Sequence, residues 1–462
     1  MDFGFWSLLP LLVALLFAFA TRSAIPALLA GVIVGAFMSG GNPLMELNTI
    51  FQDALGNGEF IWVCEIVLSI GILTELFKRS GAIAGFTNRL SNLGDSPRSV
   101  GTTTWGMGLL IVDDYFSPLI VGTIMRPLSD RARMSREKLS YLLDSMTSPV
   151  AVLVPFLGYG AYLASLIVAQ GNGVATPTEG LSVLIKSLPY NYYAILTLIM
   201  ALGIGMKWIP DFGPMARAEK RAREHGLLLR EGASPLITED DITEGASSKP
   251  APLWLYLGTP IALIMTIALG SFWIVDSILV AEAFMTAVAF LMIVMAIQKH
   301  FSSLSEAVGM AMSGITSVLP AILIIALAYS LNTVTSNLGA ADWLIEVSEG
   351  FLTANVLVAV TFALGAIISF STGTSWGTFA LIMPLALPLA YAFSGDPGGA
   401  LVLKTIAAVA GGGVFGDHAS PVSDTSVLSS AGAGSDHMDH VITQIPYAVT
   451  VAVATILLYL IV

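Results

Sequence analysis

The sequence predicts an all-α polytopic membrane protein, and three observations carry that reading. Hydrophobic residues make up 55% of the 462 positions and charged residues only 11%, with a mean hydropathy of +0.81. Soluble domains carry about 25% charged residues, so this chain has too few charges to cover a water-facing surface. Apolar runs long enough to cross a bilayer recur along the chain, and the basic residues gather in a few polar intervals between them.

The runs come in order at 6–20, 24–38 and 60–77, then at 141–169 and 181–206. Further runs fill 253–269, 272–297, 308–331, 352–370, 378–393, 401–414 and 441–462. Residues 5–20 are apolar without a basic stretch before them, and Arg22 follows. That pattern reads as a first transmembrane helix and not as a cleavable signal. The polar interval 207–250 holds seven Lys and Arg with several acids and reads as a solvated cytoplasmic linker loop. It divides the chain into halves at 1–206 and 251–462. The single cysteine, Cys64, excludes a disulfide framework and a cysteine-based metal site. The net charge of −12 gives no reason to expect a nucleic-acid partner.

Positive charge orients the chain. Lys78, Arg79, Arg89 and Arg98 mark one cytoplasmic loop, Arg126, Arg131, Arg133, Arg136 and Lys138 a second, and the central linker a third. The apolar segment 101–125 therefore enters and leaves on the same side, as a re-entrant hairpin. Residues 352–393 have acidic flanks at Asp342, Glu346, Glu349 and Asp396, and predict a second hairpin entering from outside. Each half then holds three helices, a hairpin and two helices, one of them broken. The halves have opposite orientation, and both termini lie outside.

An internal repeat supports the pairing. Thr104-Trp105-Gly106 resembles Thr374-Ser375-Trp376-Gly377, and Ser148-Pro149 follows Trp105 as Ser420-Pro421 follows Trp376, at spacings of 44 and 45 to the proline. Inverted repeats with interrupted helices are the usual design of secondary transporters, with the site near the membrane midplane.

Four polar clusters fall at membrane depth, where buried charge is costly and marks an ion or solute path. Asp113, Asp114 and Ser117 lie in the first hairpin beside Pro118. Proline frees carbonyls, which with carboxylate and hydroxyl supply the hard oxygens a small cation takes. Capping of a turn is the plainer alternative. Asp144, Ser145, Thr147 and Ser148 precede Pro149, as a site or as a simple proline kink. Thr372, Thr374 and Ser375 surround Gly373 at the tip of the second hairpin, which suits either close approach to a ligand or any tight turn. The richest cluster is Asp417, His418, Ser420, Ser423, Asp424 and Thr425 around Pro421. A carboxylate there holds Na+ when ionised or a proton when neutral, the simplest basis for exchange. His418 either shuttles a proton or bonds a neighbouring helix. Asp144, Asp417 and Ser420 are the Na+ candidates. The group Asp436-His437-Met438-Asp439-His440 reads as a helix N-cap and not as a zinc site. Glu75 reads as an interfacial partner of Lys78, whereas Glu65 and Glu282 stay unassigned.

The run Gly416-Asp417-His418-Ala419-Ser420-Pro421-Val422-Ser423-Asp424-Thr425 is similar to the signature of the NhaC-type Na+/H+ antiporter family, of the ion-transporter superfamily. So are its continuation through Ser429-Ser430, Asp436-His437, Gln444 and Pro446-Tyr447, and the stretches Asp113-Asp114-Tyr115-Phe116 and Thr374-Ser375-Trp376-Gly377. The resemblance covers most of the chain. It implies Na+/H+ exchange across the cytoplasmic membrane, a homodimer with scaffold and transport domains, and elevator-type alternating access. No cofactor is implied beyond the moving ions, and Ala419, often a Cys in relatives, is not expected to be a ligand. Relatives also couple the ions to malate, lactate or amino acids, so a coupled carrier of a small organic solute is the alternative. A zwitterion fits best, because Lys404 is the lone base near a broken helix. A channel is disfavoured by the paired hairpins. An enzyme lacks support, since His418 and Ser420 are too close in sequence for a nucleophile and its base.

Overall fold

The computed structural model describes residues 3–21, 24–81, 96–112, 116–235, 251–252, 254–275, 279–340, 343, 353–396, 398–421 and 423–462. Among the described residues every regular element is helical. The first are α1 (Leu9–Thr21), α2 (Ala24–Met38), α3 (Pro43–Leu55) and α4 (Gly58–Ser80). Next come α5 (Pro97–Leu110) and α6 (Phe116–Arg131), then α7 (Arg136–Ser145), α8 (Ser148–Ala151) and α9 (Gly158–Ala169). α10 (Pro177–Ser187), α11 (Tyr192–Gly205) and α12 (Gly213–His225) complete the first half and reach into the linker. The second half holds α13 (Thr259–Val275), α14 (Val280–Ile297) and α15 (Leu304–Asn337). It continues with α16 (Ala354–Thr372), α17 (Ser375–Ser394), α18 (Ala400–Ala419), α19 (Asp424–Ala433) and α20 (His437–Ile461).

Short polar side chains set the helix starts. Asn42, Ser96, Ser135, Asn191, Ser303, Ser423 and Asp436 each cap their helix by accepting a backbone N–H, satisfying a group the first turn leaves open. Thr176 and Glu179 form a reciprocal capping box at α10. Among the described residues, five helices are long and apolar enough to cross a membrane, and counting each of two bent pairs as one span raises this to seven. Large apolar side chains such as Phe37, Ile293 and Leu457 lie exposed on their outer faces, as lipid-facing surfaces require.

The order of elements from α4 to α11 recurs from α15 to α20. A long helix comes first, then two arms (α5/α6, α16/α17), a broken helix (α7–α9, α18/α19) and a closing helix. The second pair of arms turns at Gly373, whose φ of +70° is left-handed and suits a residue without Cβ. One large core joins α1, α2, α4, α9 and α15–α18, and a smaller one joins α5, α6, α7 and α11 with Tyr447.

Two expectations need correction. The run 181–206 is two helices, bent by 50° where Asn191 interrupts them. Pro189 sits just before the break, and the Asn191 side chain caps α11 by accepting from Ala194 N at 3.3 Å. The linker is not a solvated loop as far as it is described. Residues 213–225 form α12, which buries Met215, Ala218, Glu219 and Ala222 along one face. Residues 236–250 lie outside the described residues.

The linker is a charged cap over the ends of both broken helices. Lys138 of α7, fully buried, donates to Asp211 at 2.8 and 2.9 Å and lies 3.6 Å from Glu219. Ser135 N donates to Glu219, and Arg221 pairs with Glu137 at 2.8 Å. Arg230 pairs with Asp439 of α20 at 3.0 Å, and Ser234 N donates to Asp436 at 2.9 Å. Arg136 pairs with Asp130 and donates to the carbonyl of Ala433 at 2.9 Å, tying α7 to the end of α19.

Candidate functional site

Breaking a helix inside a bundle leaves backbone groups and side chains free to face a common interior point. Here the break after Ser145 and the break after Ala419 meet. α18 ends at Ala419, and Asp417, in its last turn, is 2% exposed. The negative end of the α18 dipole and the carboxylate together favour a cation.

Five hydroxyls from four elements converge on Asp417. Ser148 at the head of α8 donates to Oδ2 at 3.0 Å, and Tyr159 of α9 does so at 2.7 Å. Ser375, the first residue of α17, bonds the same oxygen, and its hydroxyl lies 2.7 Å from that of Tyr159. Ser423 donates to Oδ1 at 3.0 Å and Thr425 at 3.3 Å. Each hydroxyl donates one hydrogen and keeps lone pairs, so rotation turns a cage of donors into a set of oxygen ligands.

The second carboxylate, Asp144, is fully buried. Its Oδ2 accepts from Ser426 at 2.8 Å and from Gln444 Nε2 at 2.9 Å, and lies 3.7 Å from His440 Nε2. Its Oδ1 has no hydrogen-bond partner among the described residues. His418, next in sequence to Asp417, bonds other groups. Its Nε2 lies 2.9 Å from Ser145 Oγ and its Nδ1 3.0 Å from Tyr193 Oη, while its carbonyl accepts from Gln444 Nε2.

Other predicted residues are placed differently. Ser420 donates to the carbonyl of Phe370 at 2.6 Å and so ties the break to the arm α16. Thr147 bonds its own turn at Asp144 O, and Thr372 bonds Ile368 O. Thr374 stands at the N-cap of α17, and its carbonyl accepts from Thr378. Ser117 is buried at the start of α6. Asp113 and Asp114 lie outside the described residues, as does the side chain of Asp424. Lys404 donates to Val462 O at 2.6 Å. Glu75 pairs with Arg79 at 2.9 Å, beside Lys78, whereas Glu65 and Glu282 are exposed on α4 and α14.

Sequence reasoning passed over Tyr159, Tyr193, Ser426, His440 and Gln444 as site residues. The two tyrosines lie in apolar runs and carry no local signal. His440 and Gln444 stand four apart on one face of α20, a spacing that places both toward the same neighbour. Asp436 caps α20 as expected, accepting from Asp439 N at 3.1 Å. Partial burial pushes its carboxyl up, but the amides of Ser234, Asp439 and Met438 and the Arg230 guanidinium outweigh this and hold it below the usual carboxylate range. No group of three or more His, Cys, Asp or Glu among the described residues is placed to hold a metal ion.

Comparison with known proteins agrees with this architecture. The chain is 33% identical to an uncharacterized protein of Haemophilus influenzae, over 99% of this chain and 90% of that one. It is 24% identical to the Na+/H+ antiporter NhaC of Alkalihalophilus pseudofirmus over 46% of this chain and 48% of that one. A malate-2H+/Na+-lactate antiporter of Bacillus subtilis is 29% identical over 32% and 31% of the two chains. The fold is shared with the YdaH transporter of Alcanivorax borkumensis, at a TM-score of 0.57 and 14% identity over 90% of this chain and 88% of that one. It is shared too with MtrF of Neisseria gonorrhoeae, at 0.52 and 14% over 91% and 84%. This is a multi-pass membrane protein, a secondary transporter and not an enzyme. With the profile of the Na+/H+ antiporter family matching residues 150–462, more than half of its length, the chain belongs to that family.

Proposed function

We propose that the protein exchanges Na+ for H+ across the cytoplasmic membrane. The observation that carries this reading is the buried Asp417 carboxylate with five hydroxyls around it, drawn from both broken helices and the second hairpin. Na+ is a hard cation that takes oxygen ligands, and one carboxylate with neutral hydroxyls matches its single charge. Asp144, with one oxygen unpartnered, is the proton-carrying group. The cation and the proton then occupy neighbouring carboxylates, and the buried site disfavours both charges being uncompensated at once.

The recurrence of the element order supports a reading of 1–206 and 251–462 as inverted repeats. The basic cap over residues 207–235 and the loops bearing Lys78, Arg79, Arg126 and Arg131 support placing that face in the cytoplasm, with both termini outside. Ser375 and Asp417 belong to elements expected to move together in an elevator-type step, in a protein expected to be a homodimer.

A second reading, a Na+- or H+-coupled carrier of a small organic solute, is favoured by a distinct cavity of about 320 Å³. Gln170, Asn332, Thr335, Ser336 and Tyr391 line it with amide and hydroxyl groups and no charge. The relative named for malate and lactate exchange points the same way.

Proteoliposomes loaded with a pH-sensitive dye test the two readings. Saturable proton movement on adding Na+ alone supports simple exchange. Proton movement only when an amino or hydroxy acid is supplied with Na+ replaces it by the second reading.

A further inference from the structure

Exchange at Asp417 and Asp144 leaves a histidine pair without a role. α20 begins at His437, which is half-buried on the face covered by the charged cap, and His440 lies one turn further in, fully buried. Between them stands Ser430 of α19. Its Oγ is 3.1 Å from His437 Nδ1 and 2.8 Å from His440 Nδ1. His440 Nε2 is 2.6 Å from Gln444 Oε1 and 3.7 Å from Asp144 Oδ2. The series runs from a half-buried ring to a buried carboxylate.

The hydrogens in this series can be counted. Gln444 Nε2 donates to Asp144 and to the carbonyl of His418, which turns its Oε1 toward His440. An amide oxygen only accepts, so His440 carries its hydrogen on Nε2. The carbonyl of Pro421 likewise only accepts and lies 2.8 Å from His437 Nε2, so His437 also carries its hydrogen there. Both Nδ1 atoms then present lone pairs to one Ser430 hydroxyl. That hydroxyl has one hydrogen and also lies 2.8 Å from Ser426 O as a donor. With both rings neutral, the arrangement is short of hydrogens. One added proton on a Nδ1 supplies what is missing.

From this we infer that His437, Ser430 and His440 form a proton path from the capped face to Asp144, separate from the hydroxyl cage at Asp417. The inference rests on Asp144 being the proton-carrying group. A proton taken by His437 Nδ1 passes through the Ser430 hydroxyl, which releases its own hydrogen to His440 Nδ1. His440 is then doubly protonated and gives its Nε2 hydrogen to Asp144 Oδ2, across a span that a small ring rotation or one water closes. One N–H bond breaks as one O–H bond forms, and His440 is left neutral with its hydrogen on Nδ1, which a turn of the ring returns to the Gln444 side.

The groups around the path are few. Asp144 faces His440 and Gln444 of α20, Ser426 and Ser429 of α19, Asp417 of α18 and Tyr193 of α11. His437 has Asp436 beside it, with Arg230 on Asp439 and Arg136 on the carbonyls of Ala433 and Gly434 nearby. No fixed cation among these stands next to Asp144 to replace the proton.

The test is a pH jump on the purified full-length protein, read by infrared absorption of the protonated carboxyl that Asp144→Asn removes. In the wild type that band should form quickly. His437→Ala, His440→Gln and Ser430→Ala should slow it at least tenfold, Ser430→Thr should restore it, and imidazole in the buffer should rescue His437→Ala. An unchanged rate in folded His437→Ala and His440→Gln protein overturns the path, as does a band that never titrates. Sodium-driven proton flux in proteoliposomes separates the two readings. A histidine-dependent band without sodium exchange overturns the cation reading and keeps the path. Sodium exchange at the wild-type rate in both histidine variants overturns the path and keeps the exchange.

Discussion

Asp144 and Asp417 are linked through one side chain, since the hydroxyl of Ser426 lies 2.8 Å from Asp144 Oδ2 and 3.4 Å from the carbonyl oxygen of Asp417. The two carboxylates come from broken helices in different halves of the chain. The single Ser426 hydrogen goes to the nearer acceptor, Asp144 Oδ2, while its oxygen rests against the Asp417 backbone, so a change of charge at one carboxylate reaches the other through this shared contact and through space.

Ser426→Ala should weaken that link. Leaving a buried acceptor without one of its donors costs about 1–3 kcal/mol. The exchange rate in proteoliposomes is expected to fall by about ten- to a hundredfold, with the helical content unchanged by circular dichroism. A rate within twofold of wild type would remove Ser426 from the coupling.

Tyr159→Phe separates the hydroxyl from the ring. The ring packs against Trp376 and Phe379, with centroids 5.2 and 5.7 Å away, and phenylalanine keeps those contacts. The bond to Asp417 Oδ2 goes, together with the contact to the Ser375 hydroxyl. The concentration of Na+ that half-saturates transport should rise by roughly tenfold, the equivalent of one lost ligand of about 1.4 kcal/mol, while melting temperature changes little.

Gly416→Ala should fail structurally. A Cβ at 416 would meet the backbone of Ser369 and Phe370 in α16, where α18 and the hairpin arm approach closely. Overpacking of this kind costs about 1–3 kcal/mol or more, and the backbone on the other side cannot rotate away. Thermal unfolding in detergent should show a clearly lower midpoint.

The cap should divide into strong and weak pairs. Lys138→Met leaves Asp211 and Glu219 facing each other without their buried cation, and breaking a buried pair costs about 3–5 kcal/mol. Arg230→Ala removes a solvent-exposed pair that water and salt screen, so its loss should be small. Melting temperatures of the two variants check the ranking, and equal losses would contradict it. Asp436 gives the cap its pH limit. Its folded carboxyl is held below the ordinary value, so its contribution is fully present above that value and lost as pH falls through the lower, folded one. Contact of 230–235 with α20 should therefore survive to mildly acidic pH and loosen only in stronger acid, as hydrogen exchange at Ser234 would show.

Much of this was readable in the sequence because composition and helix-breaking residues act locally. Apolar length gave the spans, Pro149 and Pro421 marked the broken helices, and Gly373 marked the hairpin turn. Asp417 and Asp144 stood out because a carboxylate in an apolar run is costly wherever it falls. Tyr159 did not, because a tyrosine in an apolar run looks like core until its partner 258 positions away is known. The cap was missed for a different reason. Its seven Lys and Arg suggested solvent, yet Met215, Ala218 and Ala222 recur at helical spacing and Gly226 ends the helix at φ +70°. Charge count outweighed periodicity in that reading, and periodicity was the better guide.

The most direct test of the account is Na+-driven proton flux in proteoliposomes containing wild-type protein or Asp417→Asn. The substitution keeps the size of the side chain and removes its charge. Saturable flux in the wild type, abolished in a folded Asp417→Asn protein, is the expected result. Wild-type kinetics in Asp417→Asn would place the cation elsewhere and contradict the account.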